Sequence, residues 1–129
     1  MPPKDSLYPQ DWVRLAAKDL KRAEHLLDFD DPEGAGYHLQ QAVEKYLKGF
    51  LLSRGWKLKR IHDLEVLLND ALKYEGAMEE YRNLCQNVSG YYIIDRYPLP
   101  STAMLTKEEV QSSIGEAKNL IKRLTQLTK

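Results

Sequence analysis

Apolar residues recur along this chain at spacings of three and four, the repeat that places side chains on one face of an α-helix. The first run is Trp12, Leu15, Ala16, Leu20, Ala23, Leu26 and Leu27, with Lys18, Lys21, Arg22 and Glu24 mostly off the stripe. Asp11 is the expected N-cap of this helix. The acidic segment 28–33, which contains Pro32, ends it and starts a turn. A broader stripe follows: Leu39, Ala42, Val43, Tyr46, Leu47, Phe50 and Leu51. At ~100° per residue, Gln41, Glu44, Lys45 and Lys48 cluster on its opposite side. Arg54-Gly55 supplies the stop, with Gly55 as the expected C-cap. Asp63 is placed to cap a shorter third helix built on Leu64, Leu67, Leu68, Ala71 and Leu72. Beyond Gly76, a fourth helix carries Tyr81, Leu84, Cys85, Val88, Tyr91 and Tyr92. It stops at Arg96-Tyr97-Pro98-Leu99-Pro100, because residues before proline avoid the α region. Thr106 and Glu109 make a capping box for a last stripe of Val110, Ile114, Ala117, Ile121 and Leu124. Tyr91–Ile94 has strand-like propensity but is short and continues the fourth helical face. The expected fold is all-α: an up-and-down bundle of about five helices, one of them short. Short connections make sequential helices antiparallel neighbours. Residues 1–129 read as one domain, with 1–10 as an N-terminal arm.

Composition narrows the class. The chain has 129 residues and one cysteine, Cys85, so no internal disulfide can form. That length supports a core without staples. Tyr91–Ile94 is the longest apolar run, against the ~20 residues of a membrane span, and a secretory apolar region is absent. A soluble, cytoplasmic protein is expected. Nineteen Lys+Arg balance nineteen Asp+Glu, which argues against a broad nucleic-acid footprint and against DNA. The balance hides segregation. Lys45, Lys48, Arg54, Lys57, Lys59 and Arg60 fall in a stretch without an acid, and Asp28, Asp30, Asp31 and Glu33 form an acidic turn.

Each candidate site has two readings. The basic tract is an anion surface or a solvated helix end favoured by the helix dipole. Trp56 stacks on a base or caps the core. The Gln41, Glu44, Lys45 and Lys48 face is a polar groove for a nucleotide or another subunit, or a solvated face with Glu44 and Lys48 in the favourable i,i+4 order. Arg96, fixed by Tyr97 and Pro98, is a poised phosphate donor or satisfies its own helix's last carbonyls. His25, His38 and His62 form no metal-ligand set, and His62 beside Asp63 reads as a turn residue. No phosphate-cradling glycine loop and no nucleophile elbow is present, so no cofactor and no metal are expected.

Four segments, in order, resemble the HEPN domains (higher eukaryote and prokaryote nucleotide-binding). They are Asp19-Leu20-Lys21-Arg22-Ala23, Gln40-Gln41-Ala42-Val43-Glu44-Lys45-Tyr46-Leu47-Lys48, His62-Asp63-Leu64 and Asp95-Arg96-Tyr97-Pro98. The resemblance runs from Trp12 to about Leu127. It implies a helical bundle that dimerises and works beside a separate minimal nucleotidyltransferase as a toxin–antitoxin-like pair. Many members are metal-independent endoribonucleases in which an Arg, followed after four to six residues by His, acts across a dimer. Arg82-Asn83 looks like the opening of that motif, but Asn87, Val88 and Ser89 occupy the histidine positions. None exchanges a proton near neutral pH, and a general base is worth ~10²–10⁴-fold in rate. Arg82 and Asn87 are thus expected to mark the equivalent cleft without its chemistry. The leading expectation is a non-catalytic module that holds a nucleotide or RNA phosphate through Arg96, Tyr97, Gln41, Glu44, Lys45, Lys48, Arg82 and Asn87. The alternatives are a divergent ribonuclease toxin using His62 or another base, and a purely structural dimeric scaffold.

Overall fold

A computed structural model describes residues 5–91 and 104–128. Its α-helices are α1 (Pro9–Asp28), α2 (Pro32–Ser53), α3 (Leu64–Leu72), α4 (Arg82–Ser89) and α5 (Lys107–Leu127), and a 3-10 turn (Gly76–Tyr81) leads into α4. No strand occurs among the described residues. The bundle is all-α, as the periodicity requires. Arg96 and Tyr97 lie outside the described residues.

Two helix starts differ from the sequence expectation. Tyr8, not Asp11, is the N-cap of α1, and Pro9 takes the first helical position. Proline's fixed φ suits that position, and its missing N–H costs nothing there. Asp11 sits inside the first turn, where its carboxylate accepts from Ser6 Oγ at 2.7 Å. Helix α2 begins at Pro32, about two turns ahead of the apolar stripe. Asp31 caps it by accepting from the Gly34 N–H at 3.0 Å. Gly34, Ala35 and Gly36 in these early turns are buried, and at Gly36 there is no room for a side chain. A Cβ at Gly36 would stand 2.7 Å from Leu105 Cδ1 and 3.1 Å from Tyr91 Cδ2.

The other caps follow the sequence closely. Asp63 accepts from the Glu65 and Val66 N–H groups at the start of α3. Thr106 Oγ1 accepts from the Glu109 N–H at 3.1 Å and donates to Glu109 Oε1 at 3.1 Å. At the end of α2, Arg54 is the C-cap and Gly55 follows it at φ 86°. The Gly55 N–H donates to Leu52 O at 3.1 Å and the Trp56 N–H to Leu51 O at 3.0 Å. This paired closure needs a left-handed residue. An added Cβ at Gly55 meets nothing within 4 Å, so only backbone strain opposes substitution. We expect Gly55→Ala to lower stability by about 1 kcal/mol, read as a shifted urea midpoint at constant slope.

Helix α2 runs through the middle of the bundle. Leu39, Val43, Leu47, Phe50 and Leu51 are fully buried against Leu64, Leu67 and Leu68 of α3 and Leu120 and Leu124 of α5. Trp12 of α1 meets Lys48, and Asp19 of α1 meets Lys45, so α1 and α2 run antiparallel. Trp56 is buried, and its Nε1–H donates to Asp70 Oδ2 at 2.9 Å, which folds the loop after α2 onto α3. Trp56 therefore caps the core, and no ring face remains free for a base. Burial pushes the Asp70 carboxyl up, but the Trp56 bond and the Lys59 and Lys73 ammonium groups outweigh it, so the carboxyl stays below its usual range.

Candidate functional site

The polar side of α2 is not a solvated face. Gln40, Glu44 and Lys48 are buried. They line a seam against α1 and the loop before α3, in two carboxylate-centred clusters.

The inner cluster centres on Glu44. Its carboxylate accepts from Lys48 Nζ at 3.0 Å and from Gln40 Nε2 at 3.2 Å. His62 Nδ1 stands 3.1 Å from both Glu44 oxygens. Gln40 Nε2 also donates to the His62 carbonyl at 3.0 Å, and Gln41 Nε2 donates to Gln40 Oε1 at 2.7 Å. The Lys48 ammonium lies 5.4 Å from the Trp12 ring centroid, and Trp12 Nε1–H donates to Ser6 O at 2.8 Å. Glu44 and Lys48 are thus committed to each other inside the protein. The i,i+4 order visible in the sequence is a buried pair. His62 is more than a turn residue, because its ring closes this cluster while 67% of its side chain stays exposed.

The outer cluster centres on Asp19 of α1, which is 2% exposed. Lys45 Nζ donates to Oδ2. His38 Nδ1 lies 3.0 Å and Arg22 NH1 3.2 Å from Oδ1. Burial pushes the Asp19 carboxyl up, but the bonds from Lys45, His38 and Arg22 and the Lys45 charge outweigh it, and the carboxyl is held below its usual range. The cluster opens to solvent: the Arg22 side chain is 54% exposed, His38 26% and Lys45 21%. With Nδ1 occupied, the free nitrogen of His38 is Nε2. Tyr37 packs edge-on to its ring at 5.1 Å.

Of the sequence candidates, the seam brings together Gln41, Glu44, Lys45 and Lys48, with Lys45 and Gln41 toward the surface. It does not include Arg82 or Asn87. Arg82 donates to Glu79 at 2.7 and 2.8 Å, to Glu65 at 3.2 Å and to Asn69 at 2.8 Å. Those carboxylates hold the guanidinium firmly charged and occupied. Asn87 lines a cavity of about 530 Å³ together with Glu108, Glu109 and Glu116, a potential that repels phosphate. The sequence reading missed Asp19, His38 and Arg22 as a unit. The signal was present as Asp19 and Arg22 at i,i+3, but the other partners of Asp19 stand 19 and 26 residues away.

Burial pushes the Cys85 thiol up to about 12, so it is no thiolate nucleophile. Among the described residues no group of three His, Cys, Asp or Glu is placed to hold a metal ion. No described helix is long and apolar enough to cross a membrane.

The described residues form a small all-α domain whose central helix, α2, is clasped by its antiparallel neighbour α1. The HEPN domain model matches residues 9–127, and the chain belongs to the HEPN domain family. A protein of Methanocaldococcus jannaschii named "Putative toxin MJ1304" is 27% identical over 128 residues, covering 88% of this chain and 84% of its own. The crystal structure of TT1696 from Thermus thermophilus superposes with a TM-score of 0.80 at 26% identity, covering 92% of this chain and 97% of that one. ST0689, described as an archaeal HEPN homologue, shares the fold with a TM-score of 0.76 at 22% identity, covering 95% and 98%.

Proposed function

We propose that this HEPN domain is a non-catalytic nucleotide- or RNA-phosphate-binding module. It acts as a homodimer in a toxin–antitoxin-like pair with a separate minimal nucleotidyltransferase. The observation that carries the reading is the outer cluster. Arg22 and Lys45 face one carboxylate, Asp19, so the opening keeps one formal positive charge before His38 is counted. All three donors are oriented in advance by a buried group, which lowers the ordering cost of gripping a phosphate. Arg22 offers the planar fork suited to phosphate oxygens, and Gln41 adds an amide at the rim. Glu44 and Lys48 support this opening from behind. The relative named as a toxin supports the toxin–antitoxin part, and Asn87, Val88 and Ser89 support the non-catalytic part, since none can serve as a general base.

Titration calorimetry with AMP, ATP and GTP tests the site. We expect saturable binding that weakens at least ~10-fold, about 1.4 kcal/mol, in Lys45→Ala, and is unchanged in Lys57→Ala. Binding unaffected by Lys45→Ala and Arg22→Ala would remove this site from the proposal. Co-purification from native lysate tests the nucleotidyltransferase pairing.

One observation favours a second reading, a divergent metal-independent ribonuclease. His38, oriented through Nδ1 by buried Asp19 and flanked by Lys45, has the arrangement of a general base beside a phosphate. Cleavage of total RNA without added metal, abolished by His38→Ala, would establish it.

A further inference from the structure

The outer cluster holds an imidazole whose protonation decides what the opening can grip. His38 Nδ1 lies 3.0 Å from Asp19 Oδ1. Asp19 is held below its usual range as a carboxylate, and an ionised carboxylate only accepts. The proton of that contact therefore sits on His38 Nδ1. Neutral His38 then presents a bare lone pair at Nε2, and protonated His38 presents an N–H there. An ionised phosphate oxygen also only accepts. The neutral ring repels it, and the protonated ring bonds it.

The surrounding charges set the count. Asp19 and Arg22 meet His38 from α1, and Lys45 meets it from α2, with the Tyr37 ring edge-on. Lys18 and His25, about a turn to either side of Arg22, are exposed on the same side of α1. Asp19 is buried and accepts on both oxygens, so its charge lies behind its three donors. Arg22 uses NH1 alone among the described residues, which leaves the rest of its fork for a ligand. Arg22 and Lys45 against Asp19 leave one formal positive charge, and a proton on His38 makes two. That sum matches an ionised terminal phosphate, a phosphomonoester whose second proton leaves near pH ~6. An internal phosphodiester carries a single charge and has no proton to share.

We infer that the outer cluster is a proton-linked site for a terminal phosphate, in which His38 selects a phosphomonoester over a phosphodiester. One proton is shared between His38 Nε2 and a phosphate oxygen, whether the ring or the ligand brings it. The other phosphate oxygens take the Arg22 fork and the Lys45 ammonium. This rests on the phosphate-binding reading above and names which phosphate the site takes. The phosphate of a mononucleotide and that of an RNA end share this chemistry. Specificity follows because a site built around a hydrogen bond rejects a ligand that cannot complete it.

The test is titration calorimetry of the full chain with AMP in two buffers of different ionisation enthalpy. At pH ~7.5 an ordinary imidazole and an ordinary phosphomonoester have both lost most of their protons. The difference in heat between the buffers then counts the protons taken up on binding. We expect about one proton per AMP, with affinity falling about tenfold per pH unit above that point, as linkage requires. His38→Gln keeps an amide donor for Asp19 but should lose both the uptake and the slope. His25→Gln should keep both. The dinucleoside monophosphate of adenosine, which holds only a diester, should bind at least ~10-fold more weakly than AMP, and His38→Gln should erase that preference. A short oligoribonucleotide with and without a terminal phosphate separates the sources. Uptake that appears only with the phosphorylated strand supports the RNA end, and uptake confined to AMP supports the free nucleotide. AMP binding without proton uptake, or uptake that survives His38→Gln, would overturn the inference and leave the phosphate site standing. No binding of any of these ligands would overturn both.

Discussion

Glu44→Ala should be the most damaging single change in the seam, costing about 3–5 kcal/mol. At this chain length that corresponds to a fall in Tm of roughly 4 °C per kcal/mol. The reason is what it leaves behind. The Lys48 side chain is 4% exposed and its carboxylate partner lies 3.0 Å away. Removing Glu44 strands an ammonium that cannot reach water, and it also frees Gln40 and His62 from a shared acceptor. A buried ion pair itself adds little to stability, because desolvation offsets the attraction. The double change Glu44→Leu with Lys48→Met should therefore recover most of the loss. Thermal and urea unfolding of the single and double variants checks this. A single variant within about 1 kcal/mol of the parent, the size of an ordinary substitution, would show that Lys48 escapes to solvent and that the inner cluster is not a closed pair.

Asp19 gives the second large effect, and it depends on pH. Replacing it by Asn removes the carboxylate that three donors share, an expected loss of about 2 kcal/mol or more near neutral pH. The sign follows from its lowered carboxyl. In the unfolded chain the group titrates near the ordinary 3.8, and in the folded chain it titrates lower. Its contribution is full above the unfolded value and disappears as pH falls through the folded one. The gap between parent and Asp19→Asn should be constant from neutral pH down to about 5 and close below about 4. A gap that persists unchanged into strong acid would mean that the charge on Asp19 contributes nothing.

The apolar stripes announced the helices because burial enforces the 3.6-residue repeat, and the Asp63 and Thr106 caps were readable because their partners lie within three residues. The start of α2 was hidden, since Gly34, Ala35 and Gly36 are buried without being large. The seam was only half legible. Gln41, Glu44, Lys45 and Lys48 stood out as one polar arc, but an arc of charge looks alike whether water or another helix covers it. Asp19 and His62, which decide between those cases, are distant in sequence. Arg82 is a different case: its motif position suggests a cleft, and its donors go to Glu79 and, on α3, to Glu65 and Asn69, partners that the motif alone does not reveal.

The Asp19 cluster also fixes alignment. Apolar helix faces tolerate sliding by a turn or a modest rotation, since one leucine contact replaces another. Asp19 does not tolerate it. Asp19 finds Lys45 and His38 at only one axial offset of α1 along α2, and Trp12 reaches Lys48 at the same offset. Any other register buries the Asp19 carboxylate without Lys45 and His38. The outer cluster therefore acts as an alignment key for the α1–α2 hairpin, so one geometry of Arg22, Lys45 and His38 around Asp19 is retained among many that greasy packing alone would permit.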